Sequence, residues 1–182
     1  MTASTRDLVL MALFAGVVAA LGLMPKITIP GGVPITAQTL GVMLAGAILG
    51  PKRGAGALAI FVVLVALGLP LLAGGRGGLG VFAGPSGGFI VGWILGAYVT
   101  GLAGWHLPVG NGFARYLIAS VFGGIGAVYL LGVPHWVLVS GSGVSEVLLI
   151  SLNFIPGDLI KAVLAALVTS AVHRGYPVLS RT

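Results

Sequence analysis

The stretch Ile155-Pro156-Gly157-Asp158-Leu159-Ile160-Lys161 is the one place in this chain where two opposite charges lie close together inside apolar sequence. Asp158 and Lys161 are three residues apart, so on a helix they share one face, and Pro156-Gly157 is a typical helix start. A charge inside a membrane costs about 2.5–3.5 kcal/mol and usually faces a partner or a cavity. Two interpretations stay open: a helix cap with a lysine that reaches the membrane interface, or two groups that face a polar ligand.

The composition excludes a soluble domain. Of the 182 residues, 58% are hydrophobic and only 7% are charged, whereas a soluble domain carries about 25% charged residues. The mean hydropathy is +1.16, which predicts an integral protein of the lipid bilayer. The absence of cysteine excludes disulfides, thiolate catalysis and cysteine metal sites. The net charge of +6 comes from basic residues that separate apolar runs. This pattern reflects membrane topology and not nucleic-acid binding.

Six apolar runs predict six transmembrane helices in a single domain of residues 1–182. They cover about residues 8–24, 35–49, 55–69, 89–105, 116–131 and 158–173. The predicted fold class is an all-α integral membrane protein, a compact bundle of six transmembrane helices with ordered external loops rich in glycine and proline. Residues 133–154, which Glu146 interrupts, are ambiguous, and residues 145–154 fit either a short helix or a partly re-entrant segment.

Two loops contain most of the glycine and proline between the runs. Residues 27–34 read Ile-Thr-Ile-Pro-Gly-Gly-Val-Pro, and residues 72–88 contain eight glycines among seventeen residues. So many glycines indicate a backbone built for close approach or for unusual dihedral angles. A flexible surface loop is the alternative. We expect the second loop to fold back onto the protein, because Leu79, Val81 and Phe82 within it, and Phe89 directly after it, are unusual in a solvated linker.

The basic residues predict the orientation in the membrane. One side of the six-span arrangement collects Arg6, Lys52, Arg53, Arg115, Arg174 and Arg181, and the other side has Lys26, Arg76 and Lys161. Because cytoplasmic loops carry an excess of lysine and arginine, both termini are predicted to be cytoplasmic. Both loops and the Asp158 end of the last span then share the outer face.

The sequence offers no set of catalytic or metal-binding residues. It has no Walker-type loop for ATP hydrolysis, and His106, His135 and His173 lie in separate junctions without metal-ligand spacing. Ser86, in Gly-Pro-Ser-Gly-Gly, leaves an intramembrane serine hydrolase as an alternative, but no base lies near it in sequence. A self-sufficient carrier would usually show more ionisable residues within its spans. We therefore expect a binding protein without catalytic residues or metal.

Four motifs resemble those of the BioY family, the biotin-specific substrate-binding S components of energy-coupling factor (ECF) transporters. They are Pro34-Ile35-Thr36-Ala37-Gln38-Thr39-Leu40, Leu49-Gly50-Pro51-Lys52-Arg53-Gly54, Gly84-Pro85-Ser86-Gly87-Gly88-Phe89 and Pro156-Gly157-Asp158-Leu159-Ile160-Lys161-Ala162. The resemblance covers nearly the whole chain. It implies a multi-pass protein of the bacterial inner membrane that captures biotin from outside and needs no cofactor. It also implies as partners a coupling membrane protein and two ATP-binding-cassette ATPases. Whether the chain works alone or with a dedicated or shared module stays open.

The resemblance also implies a biotin site on the outer face. We expect Asp158 to accept from the ureido N–H groups, while Lys161 donates to the ureido carbonyl or pairs with the biotin carboxylate. Arg76 is the alternative partner for that carboxylate. Backbone at close range is expected from Gly84, Pro85, Ser86, Gly87 and Gly88, and cover for the apolar body of biotin from Phe82, Phe89 and Phe154.

Small residues on the first predicted span form a candidate docking stripe. Ala12, Ala15, Gly16 and Ala19 recur at helical spacing, which lets another helix approach closely in lipid. The family's docking signature is Ala-x-x-x-Ala, and the nearest registers here are Ala12 with Gly16 and Ala15 with Ala19. The stripe is expected to pack either against the coupling protein or against neighbouring helices of the same chain.

Overall fold

The computed structural model describes residues 4–27 and 32–176, and within these ranges the chain is helical, with two isolated β-bridges and no sheet. A π-helical segment, Val121–Ala127, joins the sixth helix to the seventh, and a 3₁₀ turn, Leu152–Phe154, joins the eighth to the ninth. The helices are α1 (Thr5–Leu21), α2 (Gln38–Leu49), α3 (Pro51–Ala66), α4 (Gly80–Ala83), α5 (Gly87–His106), α6 (Gly112–Ser120), α7 (Val128–Ser140), α8 (Val144–Ser151) and α9 (Ile155–Gly175).

Three continuous helical stretches in the described part of the chain are long and apolar enough to cross a membrane: Gly87–His106, Gly112–Ser140 and Val144–Gly175. Helices α1, α2 and α3 have 17, 12 and 16 residues, below the roughly 20 that usually span a bilayer. The count of six spans therefore stays a prediction. Large apolar side chains such as Leu138 and Leu167 point outward, as expected for a surface that faces lipid.

The last two stretches are longer than the sequence pattern predicts. The fifth predicted span ends near residue 131, but α7 continues to Ser140 with Pro134 inside it, because neighbouring helices can accommodate a proline in a membrane helix. The short helix considered for residues 145–154 is present as α8. Pro156 lies in the first turn of α9, where its missing N–H breaks no helical hydrogen bond. Asp158 is therefore near the start of α9 but in the middle of a longer helical stretch.

Helix α5 is the centre of the bundle and packs against α2, α3, α6 and α7. Small residues allow these close contacts. A side chain at Gly46 of α2 would overlap the backbone carbonyl of Ala97 in α5, so glycine at this position lets the two backbones approach closely. The main core around α5 contains fully buried Phe61, Leu58 and Trp136.

One end of the bundle collects the start of α1, the junction of α2 with α3, and the end of α9. Asp7 pairs with Arg53 at 2.7 Å. The ring of His173 contacts the Tyr116 hydroxyl at 2.6 Å and the Ile48 carbonyl at 3.4 Å. The basic residues that were predicted for one side of the membrane are at or next to the residues that make these contacts: Arg6, Lys52, Arg53, Arg115 and Arg174. Arg181 lies outside the described residues.

The opposite end contains the start of α2, the start of α9 and the second predicted loop, residues 72–88, which is called the glycine-rich loop below. Ile27 and Ile35 form a backbone bridge with bonds of 3.0 and 2.9 Å across the first predicted loop, whose residues 28–31 lie outside the described ranges. Leu72 and Ala73 of the second loop are buried, whereas Leu79 is exposed. The second loop thus folds onto the bundle at its start and turns outward in its middle.

Candidate functional site

A cavity, partly open to solvent, lies at this end of the bundle between α2, α5, α7, α9 and the glycine-rich loop. The apolar lining consists of Val33, Pro34, Ile35, Leu72, Phe89, Ile90, Trp93, Val128 and Phe154, and the polar lining of Thr36, Gln38, Thr39, Arg76, Ser86, Tyr129, Asp158 and Lys161. An apolar wall with a few polar groups suits an amphipathic ligand.

Asp158 is the centre of the polar lining and is 4% exposed. Lys161 donates to its Oδ1 at 2.9 Å, and Thr39 donates to the same oxygen at 3.3 Å. Tyr129 donates to Oδ2 at 2.7 Å. Lys161 also donates to the Thr39 hydroxyl at 2.9 Å, so the four side chains form one connected network.

Three helices bring this network together. Asp158 and Lys161 are one turn apart on α9, Thr39 lies in the first turn of α2, and Tyr129 follows the π segment at the start of α7. Two buried charges are costly unless their remaining hydrogen-bonding groups are satisfied. The hydroxyl groups of Thr39 and Tyr129 donate these additional hydrogen bonds to Asp158.

Aromatic rings form the apolar wall next to the network. Phe89 meets Tyr129 edge to face, with ring centroids 5.7 Å apart and an interplanar angle of 83°. Phe154 lies 6.4 Å from Phe89 and 6.5 Å from Tyr129, again centroid to centroid. Aromatic pairs at these distances are favourable. The three rings therefore form one packed cluster beside the carboxylate.

Arg76 supplies a second cation to the cavity. Its guanidinium lies 3.5 Å from the Ser86 hydroxyl and 3.5 Å from the Ala73 carbonyl, and it pairs with no carboxylate among residues 4–27 and 32–176. Lys161, in contrast, is paired with Asp158. Two cations and one carboxylate leave the lining with one uncompensated positive charge.

Six residues that the sequence predicted for the site line this cavity: Arg76, Ser86, Phe89, Phe154, Asp158 and Lys161. Gly84 and Pro85 line an adjoining open recess that shares Arg76 and Ser86 with the cavity. Phe82 lies outside the lining and packs on the main core.

Gly87 and Gly88 also lie outside the lining, contrary to the expectation that they face a ligand. They are in the first turn of α5, and a side chain on either would overlap His135 of α7. Their missing side chains therefore serve helix packing. His135 also contacts the Gly84 carbonyl at 3.2 Å and so connects α7 to the loop.

Among the lining residues that the sequence reasoning missed are Gln38, Thr39, Trp93 and Tyr129. Polar side chains at the start of the second predicted span were a usable signal for Gln38 and Thr39, since such residues in a membrane helix need partners. Tyr129 and Trp93 carry no such signal. Their roles depend on contacts between helices that are distant in sequence.

The docking stripe on α1 is divided by the structure. Ala12 and Gly16 are exposed, and a side chain at Gly16 would meet nothing within 4 Å. Ala15 is 4% exposed and belongs to the main core, and Ala19 packs against that core. Only the register of Ala12 with Gly16 is free to contact another protein.

The geometry does not support the serine hydrolase alternative. The side chain within hydrogen-bond distance of the Ser86 hydroxyl is Arg76, a donor that stays charged and cannot accept a proton. A nucleophilic serine needs a base to activate it. In the part of the chain that the structure describes, no three histidine, aspartate or glutamate residues are grouped to hold a metal.

Comparison with known proteins agrees with this geometry. The profile of the BioY family matches residues 1–178. A biotin transporter BioY of Rhizobium etli is 52% identical over 97% of each chain, and one of Rhodobacter capsulatus is 47% identical over 94% of this chain and 95% of its own. A crystal structure of the S-component for biotin from an ECF-type ABC transporter superposes with a TM-score of 0.88 at 33% identity, covering 97% of this chain and 96% of its own. The chain belongs to the BioY family.

Proposed function

We propose that this chain is the biotin-binding S component of an ECF-type transporter and captures biotin at the outer face of the bacterial inner membrane. The observation that carries the proposal is the buried Asp158 network beside an aromatic wall, in a cavity with one uncompensated positive charge. Biotin has a polar ureido ring, an apolar bicycle and chain, and a carboxylate. Each of these three parts has a chemical counterpart in the lining.

The ureido ring binds at the Asp158 network. Oδ2 of Asp158 accepts from Tyr129 alone and has a second lone pair for a ureido N–H, whereas Oδ1 already accepts from Lys161 and Thr39. An ammonium group has three N–H donors, and Lys161 uses two of them, on Asp158 and Thr39. One donor of Lys161 is left for the ureido carbonyl. The bicycle then lies against Phe89 and Phe154.

The biotin carboxylate binds Arg76. Lys161 is already paired with Asp158, whereas Arg76 pairs with no carboxylate in the described ranges and lies beside the Ser86 hydroxyl. Bound biotin would supply the one negative charge that the cavity lacks. Of the two partners that the sequence left open, the charge arrangement favours Arg76.

The chain crosses the membrane six times in this proposal, with α1, α2 and α3 as its shorter crossings. Both termini are cytoplasmic, because the basic end of the bundle contains the start of α1 and the end of α9. The cavity then opens outward. The exposed register of Ala12 and Gly16 on α1 docks the coupling membrane protein, which works with two ATP-binding-cassette ATPases.

Radiolabelled biotin tests the proposal directly. Purified protein in detergent is expected to retain the label, and unlabelled biotin should displace it while riboflavin and thiamine should not. Purified Asp158→Ala protein that elutes as a monodisperse peak is the matched control and should retain much less. If the native chain retains no biotin at micromolar concentration, the proposed function is wrong.

A further inference from the structure

Gln38, the first residue of α2, is 1% exposed although it lines the cavity. Its amide nitrogen donates to the Val18 carbonyl at 3.2 Å and to the Leu71 carbonyl at 3.1 Å. Its amide oxygen accepts from the backbone N–H of Ala73 at 3.0 Å. Both N–H groups are therefore used within the protein, and the side chain has no donor left for a ligand.

The Ala73 bond holds the hairpin that carries Arg76. Backbone bonds of 3.0 and 3.2 Å join Leu72 to Arg76, and Gly74 and Gly75 make the turn with φ of 81° and 68°, a region that favours glycine. The Arg76 side chain lies 3.5 Å from the Ala73 carbonyl. The amide of Gln38 is thus linked to the guanidinium through a single residue, Ala73.

The other side of Gln38 is fixed by the end of α1. The Val18 carbonyl that accepts from Gln38 also accepts from the Gly22 N–H at 3.2 Å. A side chain at Gly22 would overlap the Leu71 carbonyl and the Gln38 amide nitrogen. The end of α1 therefore packs directly on the start of the hairpin, which gives Gln38 a rigid anchor.

We propose that Gln38 is a positioning residue that places Arg76 for the ligand carboxylate by tying the hairpin to α1. This inference depends on the proposed function, since it needs a carboxylate ligand at Arg76. An apolar residue of similar size would fill the same space without directing the hairpin. Only an amide offers two donors and one acceptor to the three backbone groups present here.

The test compares biotin with biotin methyl ester, which lacks the negative charge, in native protein and in Gln38→Met. Met keeps the length of the side chain and removes all three hydrogen bonds. Because Arg76 would lose its placement, we expect about tenfold weaker biotin binding, the loss of one charge-assisted bond, and ester binding within about twofold of native. In an Arg76→Ala background, Gln38→Met should have no further effect on biotin.

Gly22→Ala perturbs the same junction from α1 and keeps the test decisive if Gln38→Met does not fold. It should also weaken biotin binding more than ester binding. Thr169→Val is the control, because Thr169 is a fully buried polar residue of α9 outside the cavity and should change neither affinity. Equal loss of both ligands, additive effects with Arg76→Ala, or native affinity in folded Gln38→Met would overturn the inference. No biotin binding by the native chain would instead refute the proposed function.

Discussion

The Tyr129 hydroxyl donates a 2.7 Å hydrogen bond to Oδ2 of Asp158, while Lys161 holds the other carboxylate oxygen at 2.9 Å. Tyr129 is on α7 and Asp158 on α9, so the bond fixes the carboxylate between two helices. A carboxylate held at both oxygens before the ligand arrives loses little freedom on binding. The affinity for a ureido group should therefore depend on Tyr129 as well as on Asp158.

Replacing Tyr129 by Phe keeps the ring contacts with Phe89 and Phe154 and removes the hydroxyl. A typical net hydrogen bond contributes about 1 kcal/mol, so biotin affinity should fall about fivefold. Equilibrium binding of labelled biotin measures the change. Tyr98→Phe is the matched control, because Tyr98 of α5 is partly exposed and outside the cavity lining. An unchanged affinity in Tyr129→Phe would show that the bond does not orient Asp158 for binding.

Replacing Asp158 by Asn keeps an acceptor but leaves Lys161 without its counter-charge. Biotin affinity should fall at least tenfold, which corresponds to about 1.4 kcal/mol, and Asp158→Ala should be worse. Desthiobiotin keeps the ureido ring, so the affinity for desthiobiotin should fall by a similar factor. If Asp158 were only a helix cap, both variants would bind biotin normally. Native affinity in folded Asp158→Ala would exclude the proposed ureido contact.

Removing the Arg76 guanidinium should affect the contact with the biotin carboxylate and not the contacts with the ureido ring. Arg76→Ala should weaken binding of biotin at least tenfold, because a hydrogen bond to a charged group contributes about 1.5–3 kcal/mol, and leave the affinity for biotin methyl ester nearly unchanged. Arg76→Lys should recover part of the loss. Lys52→Ala is the control, since Lys52 is an exposed cation in the first turn of α3, at the other end of the bundle. A larger effect of Lys161→Met than of Arg76→Ala on the acid-over-ester preference would move the carboxylate to Lys161.

Large side chains on α1 should distinguish its outer face from its inner face. Ala12→Trp and Gly16→Trp should abolish co-purification with a co-expressed coupling protein and leave biotin binding intact. Ala15→Trp should destabilise the protein itself, because Ala15 is 4% exposed and packed in the core. Val163→Trp, on the exposed side of α9, is the control and should affect neither measurement. Intact co-purification of Ala12→Trp would exclude this register as the docking face.

The start of α1 should contribute a pH-dependent stability. The backbone N–H of Ser4 donates to Asp7 at 3.1 Å, and this bond, together with the Arg53 charge, holds the pKa of Asp7 below its ordinary value of 3.8. The contribution of Asp7 to stability is therefore complete at pH values above 3.8. It is lost as the pH falls below 3.8 and passes through the lowered pKa of Asp7. Thermal unfolding of Asp7→Asn in detergent should lack this loss, whereas Glu146→Gln, at an exposed acid of α8, should retain it.

The sequence by itself determined the class of protein and the pair at its centre. An apolar composition with few charges excludes a water-facing surface, and the spacing of Asp158 and Lys161 places both on one turn of a helix, because helical geometry is local. The proximity of the glycine-rich loop to α9 followed from the alternation of spans. The divided stripe on α1 could not be predicted, because spacing gives the register of small residues but not the side that the core covers.

Only the tertiary structure decided which other side chains complete the site. Thr39 is 119 residues from Asp158 and Tyr129 is 29 residues away. The start of the second predicted span indicated that Thr39 needs a partner, but no pattern indicated Asp158 as that partner. Gln38 contacts backbone 20, 33 and 35 residues away. Such contacts depend on how helices cross and rotate about their axes. Close packing at positions such as Gly46 and Gly22 determines these crossing angles and rotations for the whole bundle. No local stretch of sequence determines them.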